Sequence, residues 1–360
     1  MNPVPWAADP HTKIKHALYR QYLSKWFPIM AAGWGGDITY AEGFSGPGIY
    51  TNGEPGSPVI ALRTILDDRK LRTSSHKLRL LFVDKDPRCI NLLKEKMSAA
   101  AEPVALSDLP KYGMTVDIVQ GECVPALEQL LHRHDAWGRP MLVVLDTWGG
   151  AVWLDLVQKV AKNLNSEVLI TIQPQYFSRF AGDEKLEHGD KVFGDKEWRK
   201  VREQPSANKA RWLLQHYRET IRKCGFDYVL DFELVDENGH ALYLVFGTTH
   251  RRGLEKMKEA MWEVDAVAGA GYRDPRDPDQ QTLSIMFEPN TEPLRRLLIQ
   301  HLRSIGDSGA TVNDLRNFAL FQTVFKASQV KAVVERMLAL GQIESDTPTL
   351  KFQSIVRSRF

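Results

Sequence analysis

The sequence predicts an α/β protein in which a mostly parallel, helix-covered sheet precedes a small winged helix-turn-helix. Apolar runs without alternation, as strands buried on both faces require, recur over residues 38–172. Helical stretches separate these runs, and such a series is typical of a parallel sheet with helices on both faces. Beyond about residue 291, three short helices and a small polar hairpin follow, which is the pattern of a winged helix-turn-helix.

Length, charge and cysteine content narrow the range of functions. The chain has 360 residues, which predicts two or three domains, and its net charge of +2 gives no support to a protein that coats polyanions. The three cysteines form no CxxC or CxxH pair, which excludes a disulfide scaffold and argues against a structural zinc site. No apolar run reaches the ~20 residues of a membrane span, and the N-terminal residues lack an apolar signal core. We therefore expect a cytoplasmic protein with no membrane contact.

The first predicted element is a helix over residues 9–27, which Pro28 is expected to end. Apolar side chains recur in it at every fourth position: Ile14, Leu18, Tyr22 and Trp26. The histidines and lysines between them are expected on a solvated face: His11, Lys13, Lys15 and His16.

The next 140 residues alternate strands and helices. The predicted strands are residues 38–42, 78–83, 115–119, 141–145 and 168–172, and the helices between them are residues 58–71, 88–97, 125–134 and 152–163. Ser57 is expected to be the N-cap of the first of these helices, since Pro58 suits the first helical position.

The predicted sheet ends in a hairpin. A helix over residues 209–224 precedes apolar runs at 228–234 and 240–247, which flank an Asn-Gly turn and predict an antiparallel pair. A helix over 253–264 follows. Residues 181–206, before this unit, are charged with few apolar anchors and are expected to form a mobile insertion, either a lid or a surface loop.

Three regions follow from this pattern. Residues 1–268 form the predicted sheet domain, and residues 291–360 form the predicted winged-helix domain. Residues 269–290 are rich in Gly, Pro and Asp at their start and are expected to be a linker.

Acidic residues stand at the ends of four predicted strands: Glu42, Asp84, Glu122 and Asp146. Ligands of open parallel sheets bind beyond the carboxyl ends of the strands, so these acids are expected at one edge. Asp84 is expected to accept hydrogen bonds from both hydroxyls of a ribose, because a carboxylate binds two donors at once.

The loop Glu42–Gly48 (EGFSGPG) gives a ligand access to bare backbone at Gly43, Gly46 and Gly48. Its glycine spacing differs from the G-x-G-x-x-G of dinucleotide sites, and its leading acid suits a cationic ligand better than a pyrophosphate. S-adenosylmethionine fits these demands, since it carries a sulfonium, an ammonium and a ribose but no phosphate.

These motifs, together with Gly56-Ser57-Pro58 and Asp146-Thr147-Trp148-Gly149, resemble the motif series of Rossmann-type S-adenosylmethionine-dependent methyltransferases. More narrowly, they resemble the three-Cys-motif partner (TcmP) family over about residues 11–265. The resemblance implies a Rossmann-like methyltransferase sheet, S-adenosylmethionine as cofactor, and a three-Cys-motif protein similar to radical S-adenosylmethionine enzymes as partner. The expected cofactor-binding residues are Glu42, Gly43, Phe44, Gly46, Gly48, Asp84, Lys85 and Glu122.

The expected catalytic residues are Asp146 and Trp148. In methyltransferases that act on base amines, the acid of a D-P-P-Y element accepts hydrogen bonds from the target amine. Here Thr147 stands where relatives have proline, so the rigid φ of the turn is missing and base methylation is less strongly implied. Trp148 is expected to stack on a flat substrate or, as the alternative, to belong to the core. Glu42 and Asp84 have the alternative role of helix caps.

The C-terminal region is basic. Residues 291–360 carry ten Lys and Arg against six Asp and Glu. The polar residues expected at the front of a groove-binding surface are Arg316, Asn317, Lys326, Ser328, Gln329 and Lys331. This region is expected to bind DNA or RNA, with protein docking as the alternative.

Three functions remain open at this point. The first is a methyltransferase that acts on or with nucleic acid. The second is a non-catalytic nucleotide- and nucleic-acid-binding subunit that assists the partner in modification or repair. The third is a nuclease with Glu42, Asp84 and Asp146 as metal ligands.

Overall fold

The computed structural model describes residues 3–8, 10–34, 36–72, 77–147, 150, 152, 154–182, 187–235, 241–266, 269, 271–273 and 289–359. The chain divides into two compact units. Unit 1 comprises Met1–Lys256 and Tyr272–Gln281, and unit 2 comprises Met257–Gly271 and Thr282–Phe360. Among the described helices, none is both long and apolar enough to cross a bilayer.

Unit 1 is built on one sheet. Its strands are β1 Ile38–Glu42, β2 Leu78–Asp84, β3 Met114–Gln120, β4 Met141–Leu145, β5 Glu167–Ile172, β6 Tyr228–Val235 and β7 Ala241–Thr248, and β8 Gly271–Arg273 extends its edge. Its helices are α1 Pro10–Gly33, α2 Ser57–Asp67, α3 Arg69–Arg72, α4 Pro87–Ala101, α5 Cys123–Arg133, α6 Leu154–Lys162, α7 Pro174–Phe180, α8 Glu187–Phe193, α9 Lys209–Cys224 and α10 Arg251–Val264, the last of which continues into unit 2.

The strand order of this sheet is β3-β2-β1-β4-β5-β7-β6-β8. β1 to β5 pair in parallel, and β7 runs antiparallel between β5 and β6. The prediction of an α/β, mostly parallel sheet is therefore confirmed. Because the chain builds outward from β1 to β3 and then returns to place β4 on the other side of β1, the topological switch point lies between the carboxyl ends of β1 and β4.

The first helix is longer than the sequence predicted. Pro28 was expected to end it, but α1 continues to Gly33 with Pro28 inside. Trp26 and Phe27 before the proline are buried, and Ile29 and Met30 after it are half-buried. Packing on both sides of the proline therefore outweighs the backbone hydrogen bond that it removes.

The start of α2 also differs from the prediction. Ser57 was expected to be the N-cap, but the N-cap is Gly56, and Ser57 is the first residue of the helix. The Ser57 hydroxyl donates instead to the carboxylate of Glu42, with an Oγ–Oε2 distance of 2.7 Å. The Ser57 hydroxyl therefore bonds to the buried Glu42 of β1 and does not cap the start of α2.

The segment predicted as a mobile insertion, residues 181–206, contains α8 and two short 3-10 turns at Glu197–Glu203 and Ser206–Asn208. Its apolar side chains lie in the main core of unit 1: Val192, Phe193, Trp198 and Val201. Phe193 and Trp198 stack with ring centroids 5.5 Å apart. The few apolar residues of this segment are thus fully buried in the core. The high share of charged residues in the segment had led us to expect a mobile loop. Residues 183–186 lie outside the described part of the chain.

Unit 2 combines helices α11 Glu292–Ile305, α12 Val312–Gln322 and α13 Val330–Ala339 with strands β9 Ala310–Thr311, β10 Ile343–Ser345 and β11 Ile355–Ser358. The strands form an antiparallel sheet in the order β10-β11-β9. Thr311 and Asp314 form a capping box that fixes the start of α12. Leucines at 294, 298, 302 and 315 form the centre of the core of this unit.

The boundary between the units lies inside α10, ahead of the predicted boundary at residue 268. Lys258 is buried and donates to the backbone carbonyls at the end of α12, among them those of Ala319 and Phe325. The indole of Trp262 donates to the Val324 carbonyl at 3.0 Å. These bonds satisfy carbonyls that a helix end leaves without partners, which assigns the second half of α10 to unit 2. Of the predicted linker 269–290, residues 274–288 lie outside the described chain.

Candidate functional site

A cleft of about 390 Å³ opens at the switch point, within the ~300–1,000 Å³ typical of small-molecule sites. We call it the switch-point cleft. Seven of the predicted site residues line it: Gly43, Phe44, Gly46, Asp84, Lys85, Glu122 and Asp146. The other lining residues were not among the expected site residues, although Thr147 was noted as the departure from proline, and they are Trp6, Asp86, Cys89, Gly121, Cys123 and Thr147. Trp148 lies outside the described residues.

Asp84 organises the glycine-rich side of the switch-point cleft. Its Oδ2 accepts the backbone N–H of Gly46 at 2.9 Å, and its Oδ1 accepts the N–H of Asp86 at 2.9 Å. Gly46 has φ +63°, a conformation that favours glycine. A carboxylate has about four acceptor positions, so two remain for a ligand after these two bonds are made.

The glycine loop is held from behind by close backbone packing. The N–H of Gly56 donates to the Gly48 carbonyl at 2.8 Å, and a Cβ at Gly56 would lie 2.9 Å from the Gly48 backbone. A Cβ at Gly43 would lie 2.4 Å from the Cys123 sulfur. The Gly-Ser-Pro element is therefore explained by contact with the loop, and Gly48 supports the loop from outside the cleft.

Glu42 lies beneath the loop and does not line the cleft. It is buried and accepts hydrogen bonds from the Tyr40 and Ser57 hydroxyls, each at 2.7 Å. Burial raises the pKa of Glu42 to about 8, with the two hydrogen bonds opposing that rise. Since the carboxyl is mostly neutral at pH 7, it does not supply the negative charge that the sequence led us to expect. Its contacts link β1 to α2.

Of the four basic residues that were expected on a solvated face of α1, Lys15 and His16 are buried, whereas Lys13 is exposed and His11 is half-buried. The Lys15 ammonium forms an ion pair with Oδ2 of Asp146, and the two side chains are 2% and 14% exposed. His16 is also buried, and burial lowers the pKa of its imidazole to about 3, so the ring is neutral. The expectation of a solvated face is wrong for Lys15, which pairs with the acid at the end of β4, and for the neighbouring His16, and it holds for Lys13.

Asp146 keeps one oxygen for a ligand. Its Oδ1 is buried and has no hydrogen-bond partner among the described residues, while the residue itself lines the cleft. Buried acceptors are almost always bonded, so this oxygen is open to a donor from the cleft, either water or a ligand. The hydroxyl of Tyr19 on α1 is also buried without a hydrogen-bond partner in the described part of the chain.

Thr147, at the position where the sequence resemblance led us to expect proline, forms its own contact. Thr147 retains a backbone N–H that proline lacks, and this N–H donates to Oγ1 of Thr171 on β5 at 3.0 Å. The turn after β4 is therefore tied to the neighbouring strand by a hydrogen bond instead of by a fixed φ.

Trp6 provides an aromatic wall that the sequence reasoning missed. It lines the cleft, its ring would lie 3.7 Å from a Cβ at Gly46, and its carbonyl accepts the N–H of Thr51 at 3.0 Å. Tyr50 packs edge-on against it with centroids 6.4 Å apart. The only available signal was a tryptophan among prolines and alanines before a strong helix.

The polar residues of α1 did carry a signal. Thr12, Lys15, His16, Tyr19 and Tyr22 are all buried and follow the i, i+3, i+4, i+7 spacing of one helix face. The apolar stripe through Leu18 and Trp26 drew attention to the neighbouring face. The sequence therefore held an indication that α1 buries polar side chains: they recur at helical spacing, and the predicted strands end in several acids that need partners.

The three acids considered as metal ligands have separate hydrogen-bonding partners, although Asp84 and Asp146 both line the cleft. Glu42 bonds to Tyr40 and Ser57, Asp84 bonds to backbone amides, and Asp146 pairs with Lys15. Within the described ranges, no three His, Cys, Asp or Glu side chains are grouped as a metal site requires. The geometry gives the nuclease hypothesis no ligand set.

No family model and no curated protein matches the chain. Among solved structures, it is similar to protein LPL1258 from Legionella pneumophila str. Philadelphia 1, of family model DUF519, at 14% identity over 67% of this chain and 85% of that chain, with a TM-score of 0.37. It is similar to the S-adenosyl-L-methionine complex of Trm1 from Pyrococcus horikoshii at 12% identity over 67% of this chain and 58% of that chain, with a TM-score of 0.37. It is also similar to the 16S rRNA (adenine(1408)-N(1))-methyltransferase from Catenulisporales acidiphilia at 11% identity over 62% and 90%, with a TM-score of 0.29. At these values the chemistry has to be argued from the residues of this chain.

The raised pKa of Glu42 predicts a pH dependence of stability. The folded state holds this proton up to about pH 8, whereas the unfolded state releases it near pH 4.5, so the free energy of unfolding falls as pH rises between the two values. We expect the free energy of unfolding of Glu42→Gln to lack this decrease with pH, because glutamine does not titrate. Urea unfolding at about pH 5 and about pH 9 measures it, with Glu95→Gln on the exposed face of α4 as control. An unchanged pH dependence in Glu42→Gln would contradict the assignment.

Proposed function

We propose that unit 1 is an S-adenosylmethionine-dependent methyltransferase that binds its cofactor in the switch-point cleft and acts on or with nucleic acid. The observation that carries the proposal is the pair of half-buried acids on either side of the bare glycine loop: Asp84 with two acceptor positions left, and Asp146 with an unpartnered Oδ1. The antiparallel β7 beside β5 supports it, because this is the sheet that the sequence resemblance implied.

The donors and charges of the cofactor suit this cleft. The ribose hydroxyls would donate to Asp84, and Gly46 contributes no side chain of its own beside that carboxylate, where the Trp6 ring is the neighbouring surface. Phe44, Lys85 and Glu122 complete the proposed binding set at the rim, with Gly43 and Gly48 shaping the loop. Glu42 acts as a positioning residue through Ser57. When bound, S-adenosylmethionine supplies an activated methyl group.

Lys15 and Asp146 would orient the methyl acceptor. The ammonium of Lys15 would fix the orientation of the Asp146 carboxylate through Oδ2, so that Oδ1 is left to accept a hydrogen bond from an acceptor amine. Trp6 offers the aromatic surface against which a flat acceptor would pack. The leaving group is already cationic, so the contribution of the chain is orientation and exclusion of water rather than a strong general base.

The second unit supports a nucleic-acid substrate or partner. Its order of helix, strand, two helices and two strands is that of the winged helix-turn-helix expected from the sequence, and we propose that it is one. The resemblance to the three-Cys-motif partner family supports a three-Cys-motif protein as the partner. The buried thiols Cys89, Cys123 and Cys224 are unpaired, which fits the proposed cytoplasmic setting.

One observation favours a second candidate, the non-catalytic nucleotide-binding subunit. Lys15 already fills Oδ2 of Asp146, and Thr147 replaces the proline of the amine-methylating turn. Under this alternative the ion pair is a permanent tie between α1 and β4, and S-adenosylmethionine is bound without transfer.

Cofactor binding tests both candidates together. We expect Asp84→Asn to lower the affinity for S-adenosylmethionine about 10- to 100-fold in calorimetry, because hydrogen bonds to a charged acceptor contribute ~1.5–3 kcal/mol and 1.4 kcal/mol is tenfold. Asp108→Asn, on an exposed turn remote from the cleft, should bind like the wild type. Equal affinities for wild type and Asp84→Asn would overturn the ribose assignment.

Methyl transfer separates the two candidates. Tritiated S-adenosylmethionine is offered with DNA, RNA or the three-Cys-motif partner as acceptor. We expect transfer by the wild type and its loss in both Asp146→Asn and Lys15→Met, with cofactor binding retained within about tenfold, since these residues act on the acceptor. Tight cofactor binding with no transfer to any acceptor favours the subunit.

A further inference from the structure

Unit 2 presents a large aromatic side chain to solvent on a hydrogen-bonded turn, and this side chain is more exposed than Phe321, the other exposed aromatic among the described residues of the unit. Phe352, in the loop between β10 and β11, is 52% exposed. The turn below it is closed by the Ser354 N–H, which donates to the Lys351 carbonyl at 3.1 Å. The N–H of Asn313, at the start of α12, donates to the Phe352 carbonyl at 2.9 Å. These two hydrogen bonds fix the backbone of the turn that carries the exposed ring.

Cations surround this ring. The Arg316 guanidinium lies over one face, 4.3 Å from the ring centroid. A groove of about 240 Å³ beside the ring is lined by Phe352 together with Lys331 and Lys351. We call Arg316, Lys331, Lys351 and Phe352 the wing platform.

Few acids neutralise the wing platform. Glu335 lies 3.8 Å from the Lys331 ammonium, and both side chains are about half exposed, so this pair is weak. Asp314, the nearest acid on α12, is engaged in the capping box with Thr311. The platform thus combines an open aromatic face with net positive charge.

The neighbouring residues expected to contact nucleic acid are used locally. The Gln329 side chain accepts the N–H of Lys326 at 2.8 Å, which closes the turn before α13. The Lys326 ammonium lies over the Trp262 ring, 5.8 Å from its centroid. Of the predicted set, Arg316 and Lys331 belong to the platform, and the wing adds the aromatic residue.

We propose that the wing platform stacks one unpaired base of a nucleic-acid strand on Phe352, with Lys331 and Lys351 at the flanking phosphates; this rests on the proposed action on nucleic acid. An aromatic ring needs an open base face, and a base inside a duplex has both faces covered by its neighbours. Since Arg316 covers one face of Phe352, the platform takes one base on the other face. The charge of the platform favours a phosphate backbone over an apolar protein surface.

The test is fluorescence anisotropy of the full chain with a labelled single-stranded oligonucleotide, as RNA and as DNA, and with the matching blunt duplex. Stacking strengths of ~1–3 kcal/mol per base correspond to about a 5- to 150-fold weaker affinity for the single strand in Phe352→Ala. Phe352→Trp should restore binding. Leu340→Ala, at an equally exposed apolar side chain after α13, should bind like the wild type.

Salt dependence provides a second measurement. We expect Lys351→Ala to reduce the slope of log affinity against log salt by about one, because one phosphate contact is lost. The proposal is overturned if Phe352→Ala binds single strands like the wild type, if the duplex is bound as tightly and with the same sensitivity, or if only a protein is captured at this surface. Calorimetry with S-adenosylmethionine on the same variants should be unchanged, so a failure of the cleft and a failure of the platform give different results.

Discussion

The buried ion pair between Lys15 and Asp146 is the interaction on which the proposed acceptor side of the cleft depends. Two charges held away from water are stable only when each has its partner, and removal of one partner from such a pair typically costs ~3–5 kcal/mol. The same helix donates from the Tyr22 hydroxyl to Glu167 at the start of β5. Helix α1 is thus tied to the carboxyl end of β4 and to the amino end of β5, and through Lys15 it holds Asp146, which lines the switch-point cleft.

Environment divides the strand-end acids into different roles. Glu42 is buried and mostly neutral, and its hydrogen bonds with the Tyr40 and Ser57 hydroxyls link β1 to α2. Asp84 bonds to backbone amides and still faces the cleft, and Asp146 is paired on one oxygen only. Acids that a sequence presents as equivalent are separated by burial and by their partners.

The strands were predictable because each is an apolar run buried on both faces. β4 has the predicted bounds, and β2 and β5 differ from prediction by one residue at one end. The strand ends then place Asp84 and Asp146 at one edge without knowledge of the tertiary structure. The glycine loop was recognisable for a related reason, since the backbone conformation of Gly46 and the contact of Gly56 with Gly48 exclude side chains.

The parts that could not be predicted depend on partners distant in sequence. Lys15 and Asp146 are 131 positions apart, and without that pairing a lysine on a helix is expected in solvent. The burial of Trp198 likewise depends on Phe193 and the core around it, which the charged residues of the same segment obscure. The local sequence pattern predicts the helices and strands, whereas the partners of buried polar groups are set by how the chain folds those elements together.

The most direct measurement of the central claim is hydrogen–deuterium exchange of the full chain with and without S-adenosylmethionine. If the switch-point cleft holds the cofactor, protection should appear in the peptides that contain Gly43–Gly46, Asp84–Asp86, Gly121–Cys123 and Asp146–Thr147. Unit 2 should exchange as it does without the cofactor. Saturating cofactor with no change in these four segments, or with protection confined to other segments, would contradict the account.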